Sequence, residues 1–271
     1  MDERRAAVLG KPIGHSLSPV IHNAGYAAAG LPDWRYTAVE CAEAELAGLV
    51  DALGPEWAGL SLTMPLKEVA LTVADEVAPV AAALGAANTL VPRPGGWYAE
   101  NTDAPGMVDV LRSAGLTTID HVAILGAGGT ARAALAAARQ LGAASVTVYA
   151  RRPDAADALR PVAEHLGLRL SWCAFDRAAE CGDADLVIST VPKGVPDGLA
   201  VPWRPGSVLF DAIYDPWPTP LAAAAAAAGC RIASGLDLLL AQAVLQFTLF
   251  TGRPAPADAM RAALYAAAAT R

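Results

Sequence analysis

Lysine is scarce in this chain: of its 20 basic residues only Lys11, Lys67 and Lys193 are lysines, and the rest are arginine. There is no basic excess either. The 20 basic residues face 27 acidic ones, a formal net charge of −7, the wrong sign for neutralising a phosphate backbone or an anionic bilayer. That balance argues against nucleic acid and membrane as partners. The four cysteines, Cys41, Cys173, Cys181 and Cys230, have no Cys-x-x-Cys spacing, so they read as free thiols and not as a disulfide framework or zinc site. His15, His22, His121 and His165 lack metal-ligand spacing, and no metal is expected. Neither a Gly-x-Ser-x-Gly elbow nor a catalytic cysteine–histidine pair is present. The apolar stretches Pro216–Cys230 and Leu238–Gly252 are shorter than the roughly 20 residues a spanning helix needs. Ala6–Leu9 behind Met1-Asp2-Glu3-Arg4-Arg5 is too short for a secretion signal, so a cytoplasmic address is expected.

Apolar residues, by contrast, make up 54% of the 271 positions, enough to bury the core of a soluble globular protein. The length predicts two domains. From Arg5 to Asp103, short apolar runs alternate with helix-like segments, the pattern of an α/β unit. Strands are predicted at Ala6–Leu9, Trp34–Val39 and Gly59–Thr63, with helices over Pro19–Gly30, Ala42–Leu53 and from Pro65. Asn88–Val91 and Trp97–Glu100 flank Pro92-Arg93-Pro94-Gly95-Gly96 as a hairpin. A helix is predicted over Pro105–Ser113. Beyond it, His121–Leu125, Ser145–Tyr149, Asp185–Val191, Val208–Phe210 and Arg231–Ala233 read as strands of a doubly wound unit. Ala222–Ala228 reads as a short helix between Pro220 and Gly229, and Leu236–Phe250 as a strongly apolar one.

The sharpest local pattern is Gly126-Ala127-Gly128-Gly129-Thr130-Ala131, which follows a strand and opens a helix. In that setting Gly126 makes a tight turn, Gly128 lets backbone approach a pyrophosphate, and Ala131 fits where helix meets strand. An Asp or Glu that would hold a ribose hydroxyl is expected at the end of the next strand. The sequence there is Tyr149-Ala150-Arg151-Arg152. Two guanidiniums suit a 2′-phosphate, which favours NADP over NAD.

In the first domain, Ser16 and Ser18 lie at i and i+2, a pair able to grip a carboxylate. Ser18 ahead of Pro19 also reads as a helix N-cap, leaving only Ser16 without a local task. Ser61 and Thr63 share a strand face, and Lys67 falls in the first turn of the helix predicted from Pro65. A helix N-terminus would lower the pKa of a lysine there and aid proton exchange. Asn88-Thr89 and Asn101-Thr102-Asp103 sit near the domain boundary, where Asp103 reads equally as a cap for the helix entered by Ala104-Pro105. Gln242 and Gln246 are one turn apart on an apolar helix, so a ligand or a neighbouring loop must satisfy them.

Taken together, Gly10-Lys11-Pro12-Ile13-Gly14-His15-Ser16-Leu17-Ser18-Pro19, Leu62-Thr63-Met64-Pro65-Leu66-Lys67-Glu68, Ala87-Asn88-Thr89, Asn101-Thr102-Asp103, Gly126-Ala127-Gly128-Gly129 and Gly235-Leu236-Asp237 through Gln242-Ala243 resemble the shikimate dehydrogenase family. They stand in family order over nearly the whole chain. Asp211 to Pro220 is similar to the segment found in actinobacterial members.

The resemblance implies an N-terminal α/β substrate domain (1–103, with C-terminal helices 237–271 packing back onto it) and a doubly wound Rossmann-type NADP-binding domain (104–236), with the active site between them. It implies reversible NADPH-dependent reduction of 3-dehydroshikimate to shikimate. Ser16, Ser18 and Tyr214 would hold the substrate carboxylate. Thr63, Lys67, Asn88, Asp103 and Gln242 would contact ring hydroxyls, with Lys67 and Asp103 as the catalytic pair. Gly126, Ala127, Gly128, Gly129, Thr130, Ala131, Arg151, Arg152 and Gly235 would line the cofactor. Two positions depart from the family pattern: Ser61 stands where many members have Asn, and Ala150-Arg151-Arg152 where many have Asn-Arg-Thr. The competing readings are a quinate/shikimate dehydrogenase with relaxed substrate or NAD use, and a non-catalytic NADP-binding regulatory paralogue. The partner is a small molecule, and the chain is expected to be a monomer or homodimer.

Overall fold

A computed structural model describes residues 3–270. The chain forms two compact units, one comprising the residues up to Asp103 and again from Leu239 onward, the other Ala104–Leu238. The first unit begins β1 (Arg4–Gly10), α1 (Ser18–Ala28), β2 (Trp34–Glu40), α2 (Leu46–Asp51), β3 (Trp57–Leu62), α3 (Ala70–Val73), β4 (Glu76–Val77), α4 (Pro79–Leu84), β5 (Thr89–Arg93), β6 (Gly96–Glu100) and α5 (Asp103–Ser113), the last running on into the second unit. Its sheet has the order β2-β1-β3-β5-β6-β4. The strands β1, β2 and β3 are parallel, and β5 is antiparallel to both β3 and β6. Leu9, Leu46, Leu60, Leu62, Leu66 and Leu90 form its core. A strand buried on both faces reads as an unbroken apolar run, as β1 does from Ala6 to Leu9.

The second unit contains β7 (His121–Leu125), α6 (Gly129–Gln140), β8 (Ser145–Ala150), α7 (Pro153–Asp157), α8 (Arg160–His165), β9 (Arg169–Ala174), β10 (Leu186–Ser189), β11 (Val208–Asp211), α9 (Pro220–Ala227) and β12 (Arg231–Ser234). All six strands are parallel, in the order β12-β11-β10-β7-β8-β9. This is the Rossmann order, whose direction of winding reverses between β7 and β10. The alanine run is helical, with Thr219 capping α9 by accepting from the Ala222 amide at 3.0 Å. The edge strand β9 was not foreseen, because Arg169–Ala174 has only one apolar face and few turn signals around it.

The last helices are α10 (Gly235–Thr251) and α11 (Ala257–Ala268). Gly59 on β3 has no side chain because the Phe250 ring of α10 occupies that space. Two residues further along β3 is Ser61, and one turn back along α10 is Gln246. Two strand residues span about 6.6 Å and one helical turn about 5.4 Å, so Ser61 and Gln246 also face each other. Among the described residues no helix is long and apolar enough to cross a membrane.

Candidate active site

The segment after β3 does not form the helix predicted from Pro65. Residues 64–69 are turns, and α3 is only four residues long. The carbonyls a helix would use are taken by neighbouring segments: Met64 O accepts from the Lys11 amide at 3.0 Å and Lys67 O from the Ala87 amide at 2.7 Å. Lys67 is therefore not in the first turn of a helix, and no macrodipole of such a helix acts on it. What holds Lys67 is packing and an ion pair. Leu66 is fully buried beside it, and Lys67 Nζ lies 2.6 Å from Asp103 Oδ2, with 19% and 11% of the two side chains exposed. Partial burial strengthens the Coulomb attraction of such a pair relative to one on the surface, against the cost of desolvating both charges.

Asp103 opens α5, but its carboxylate serves as a hub and not as a helix cap. Oδ2 accepts from Lys67 and Oδ1 from Asn88 Nδ2 at 2.9 Å. Asn88 is buried just before β5, its Oδ1 accepting from the Thr102 amide at 2.8 Å and its Nδ2 also donating to Thr102 Oγ1 at 3.0 Å. Thr102 is not among the residues expected in the site. The only hint was its place in a second Asn-Thr pair beside a carboxylate. Thr63, half-buried, is fixed through its amide to Leu9 O at 2.9 Å.

The two serines exchange the roles expected of them. Ser18 is the first residue of α1, and Leu17, with no side-chain acceptor, occupies the N-cap. Ser16 is the one with a local task, its Oγ accepting from the Ser18 amide at 3.3 Å. That leaves the buried Ser18 hydroxyl outside the capping of α1. Gln242 is 7% exposed and donates to Leu239 O at 2.7 Å. Gln246 is fully buried and finds its partners in Ser61, Thr89 and the Asn88 backbone.

In the second unit, the turn after β7 lies where the winding reverses, which in this fold is where ligands bind. Gly126 has φ +101° and donates to Tyr149 O at 2.9 Å; a Cβ there would sit 2.7 Å from Thr190 Oγ1. Gly128 differs: its φ is −90°, and a Cβ would meet nothing within 4 Å. It leaves a space over the N-terminus of α6, whose first amides have no side-chain cap, the arrangement that accepts a pyrophosphate. Ala127 is half-buried in the same turn, Gly129 is exposed as the first residue of α6, Thr130 follows it half-buried, and Ala131 is fully buried. Arg151 and Arg152 follow β8 and are exposed; the Arg152–Asp154 contact is 3.8 Å between side chains 75% and 71% exposed, too weak to compete with a phosphate. The residues present thus fit a dinucleotide with a 2′-phosphate. Gly235 has a packing reason to be glycine, because a Cβ would collide with the Ala212 carbonyl.

Tyr214 is half-buried in the loop after β11. Asp211 anchors this loop, accepting from the Ile213 amide at 3.1 Å and from Thr219 Oγ1 at 2.7 Å. Burial pushes the Asp211 carboxyl above its ordinary pKa, while those bonds pull it back. Among the described residues no cluster of three or more His, Cys, Asp or Glu side chains is placed to hold a metal.

A Rossmann-type unit and a unit carrying a half-buried lysine–carboxylate pair are the parts of an α/β oxidoreductase. Comparison with known proteins narrows the class. Residues 8–90 match the shikimate dehydrogenase substrate binding domain and residues 235–265 the shikimate 5′-dehydrogenase C-terminal domain. The NADP(+) shikimate dehydrogenase of Moorella thermoacetica is 38% identical over 94% of this chain and 90% of its own length. The crystal structure of Mycobacterium tuberculosis shikimate dehydrogenase is 46% identical with a TM-score of 0.86, covering 97% of this chain and 99% of that one. A shikimate 5-dehydrogenase from Thermus thermophilus, solved with NADP(H) and shikimate, is 33% identical with a TM-score of 0.85, over 97% and 99% of the two chains. The chain belongs to the shikimate dehydrogenase family.

Proposed function

We propose that this protein is an NADP-dependent oxidoreductase that interconverts 3-dehydroshikimate and shikimate in the biosynthesis of aromatic amino acids, and that Lys67 and Asp103 carry the proton chemistry. Family membership supports the reaction, and the names of the curated relatives favour neither the quinate nor the regulatory reading. The observation that carries the assignment of residues is the 2.6 Å contact between Lys67 Nζ and Asp103 Oδ2, with Asn88 on the other carboxylate oxygen.

Ser16, Ser18 and Tyr214 bind the substrate carboxylate, and Thr63, Asn88 and Gln242 bind its ring hydroxyls. When bound, the cofactor supplies or accepts hydride at the carbonyl carbon. As the carbonyl is reduced, negative charge grows on its oxygen; Lys67 stabilises that charge and delivers one proton to it. In the oxidative direction the neutral Lys67 amine takes the hydroxyl proton. Asp103 accepts a hydrogen bond from Lys67, fixes the direction of its Nζ and orients the adjacent substrate hydroxyl. The Gly126–Ala131 turn, with Gly235, lines the dinucleotide, and Arg151 and Arg152 take the 2′-phosphate. The protein works in the cytoplasm on a small molecule, as a monomer or homodimer, a point light scattering decides. The test of the reaction is an absorbance assay of NADP reduction with shikimate.

A further inference from the structure

Behind Asp103 and Asn88 lies a run of four buried polar side chains, Tyr36, Ser61, Gln246 and Thr89, that neither the proposed reaction nor the packing of the unit calls for. Tyr36 OH donates to Ser61 Oγ at 2.6 Å, and Ser61 Oγ to Gln246 Oε1 at 2.7 Å. Gln246 Nε2 donates to Thr89 Oγ1 at 2.8 Å, and Thr89 Oγ1 to Asn88 Oδ1 at 2.9 Å. Asn88 Nδ2 then donates to Asp103 Oδ1 at 2.9 Å. The five bonds link β2, β3, α10 and β5 to the carboxylate that holds Lys67, and the relative exposure of Tyr36, Ser61, Gln246, Thr89 and Asn88 is 4% or less.

The chemistry of the groups fixes the direction of every bond. A carboxylate only accepts, so Asn88 must turn its NH2 to Asp103 and its oxygen to Thr89. Gln246 Nε2 also donates to the Asn88 main-chain carbonyl at 3.1 Å, another pure acceptor, so its oxygen must face Ser61. Ser61 must then donate to Gln246, and its remaining lone pair takes the Tyr36 proton. At the far end Tyr36 is clamped twice by Asn23, whose Oδ1 accepts from the Tyr36 amide and whose Nδ2 donates to the Tyr36 carbonyl, each at 2.9 Å. Its ring stacks on His22 with centroids 4.1 Å apart.

Burying Tyr36, Ser61, Gln246 and Thr89 in this way yields little net stability, because each exchanges bonds to water for bonds to protein. What the arrangement does provide is position. The Thr102 amide settles which way the Asn88 side chain faces; the buried chain settles where it sits. We propose that Ser61 and Gln246 are positioning residues for catalysis, holding Asn88, and through it Asp103, at the place from which Asp103 aims the Lys67 amine. The inference rests on the reading of Lys67 and Asp103 as the reacting pair.

The test is a double-mutant cycle with purified full-length protein, using shikimate and NADP as substrates. Each variant is first checked for cooperative thermal unfolding. Gln246→Leu is expected to lower kcat by about tenfold or more, since small displacements far from the chemistry are costly, with the KM for NADP unchanged. Placed on Asp103→Ala, the same substitution is expected to cost less than about twofold, because residues acting as one unit are not additive. Ser61→Ala should repeat the pattern at smaller amplitude, and it replaces Gln246→Leu if that variant does not fold. A kcat equal to wild type, or a loss of the same factor with and without Asp103, overturns the proposal. If Asp103→Ala has no measurable rate, a crystal structure of the single variant decides: the Asn88–Asp103 bond should be lengthened or broken, and an unchanged bond overturns the proposal. A wild-type protein with no activity on shikimate would instead defeat the underlying assignment of function, whatever the variants do.

Discussion

Lys67 Nζ and Asp103 Oδ2 are 2.6 Å apart although 36 residues separate them in the chain. The pair fixes the position and direction of the Lys67 amine. Lys67→Arg retains the charge and can still pair with Asp103, but a guanidinium does not release a proton near neutrality. The variant is expected to unfold at a temperature close to wild type and to lose about 10²-fold or more in kcat. Turnover near the wild-type rate in steady-state assays would mean that Lys67 only supplies charge.

Much of this was legible in the sequence for physical reasons that can be named. Strand β7 was readable because a parallel strand buried on both faces is a short apolar run, and the turn at Gly126 because positive φ demands glycine. The turn at residues 64–69 was not. Its sequence permits a helix, and only Lys11 and Ala87, both distant in the chain, claim the carbonyls that a helix would use. The roles of Ser16 and Ser18 were exchanged because capping depends on which residue first adopts helical dihedrals, a matter of one position. Gln246 was recognised as an amide in need of partners; that they would be Ser61 and Thr89 follows from the register of α10 on β3.

The two glycines of the cofactor turn are expected to respond in opposite ways. Gly126→Ala forces a side chain into positive φ against Thr190 and should cost about 1–3 kcal/mol of stability. Gly128→Asp meets open space and places a carboxylate over the N-terminus of α6, which should leave stability unchanged or raise it by a few tenths of a kcal/mol. The same carboxylate repels a pyrophosphate, so NADP affinity should fall by about tenfold or more. Urea unfolding and fluorescence titration with NADPH separate the two effects. Unaltered NADPH binding by Gly128→Asp would remove the turn from the cofactor site.

Arg151 and Arg152 are expected to act on the phosphorylated cofactor alone. The double substitution to Ala should raise the KM for NADP by about tenfold or more, at roughly 1.5–3 kcal/mol for a charged hydrogen bond, and leave the KM for NAD near its starting value. Parallel assays with the two cofactors read this directly. An equal loss for both would place the arginines elsewhere than at the 2′-phosphate.

Burial holds the His22 imidazole neutral, lowering its pKa from 6.5 to about 3. The unfolded chain therefore takes up a proton that the folded one refuses, and the folded state is penalised as the pH falls below about 6.5. The penalty grows by about 1.4 kcal/mol per pH unit until the folded group itself titrates. Between about pH 6.5 and pH 5, wild type should lose about 2 kcal/mol more stability than His22→Leu, whatever the variant's absolute stability. Urea denaturation across that range provides the comparison, and parallel pH dependences would contradict it.

The most direct measurement follows the absorbance of reduced nicotinamide when wild type and Lys67→Ala are each given shikimate and NADP, with NADPH affinity determined for both. Wild type is predicted to reduce NADP, while Lys67→Ala binds NADPH as tightly but turns over about 10³-fold more slowly. A Lys67→Ala variant as fast as wild type, or a wild type inert toward shikimate, would contradict the account.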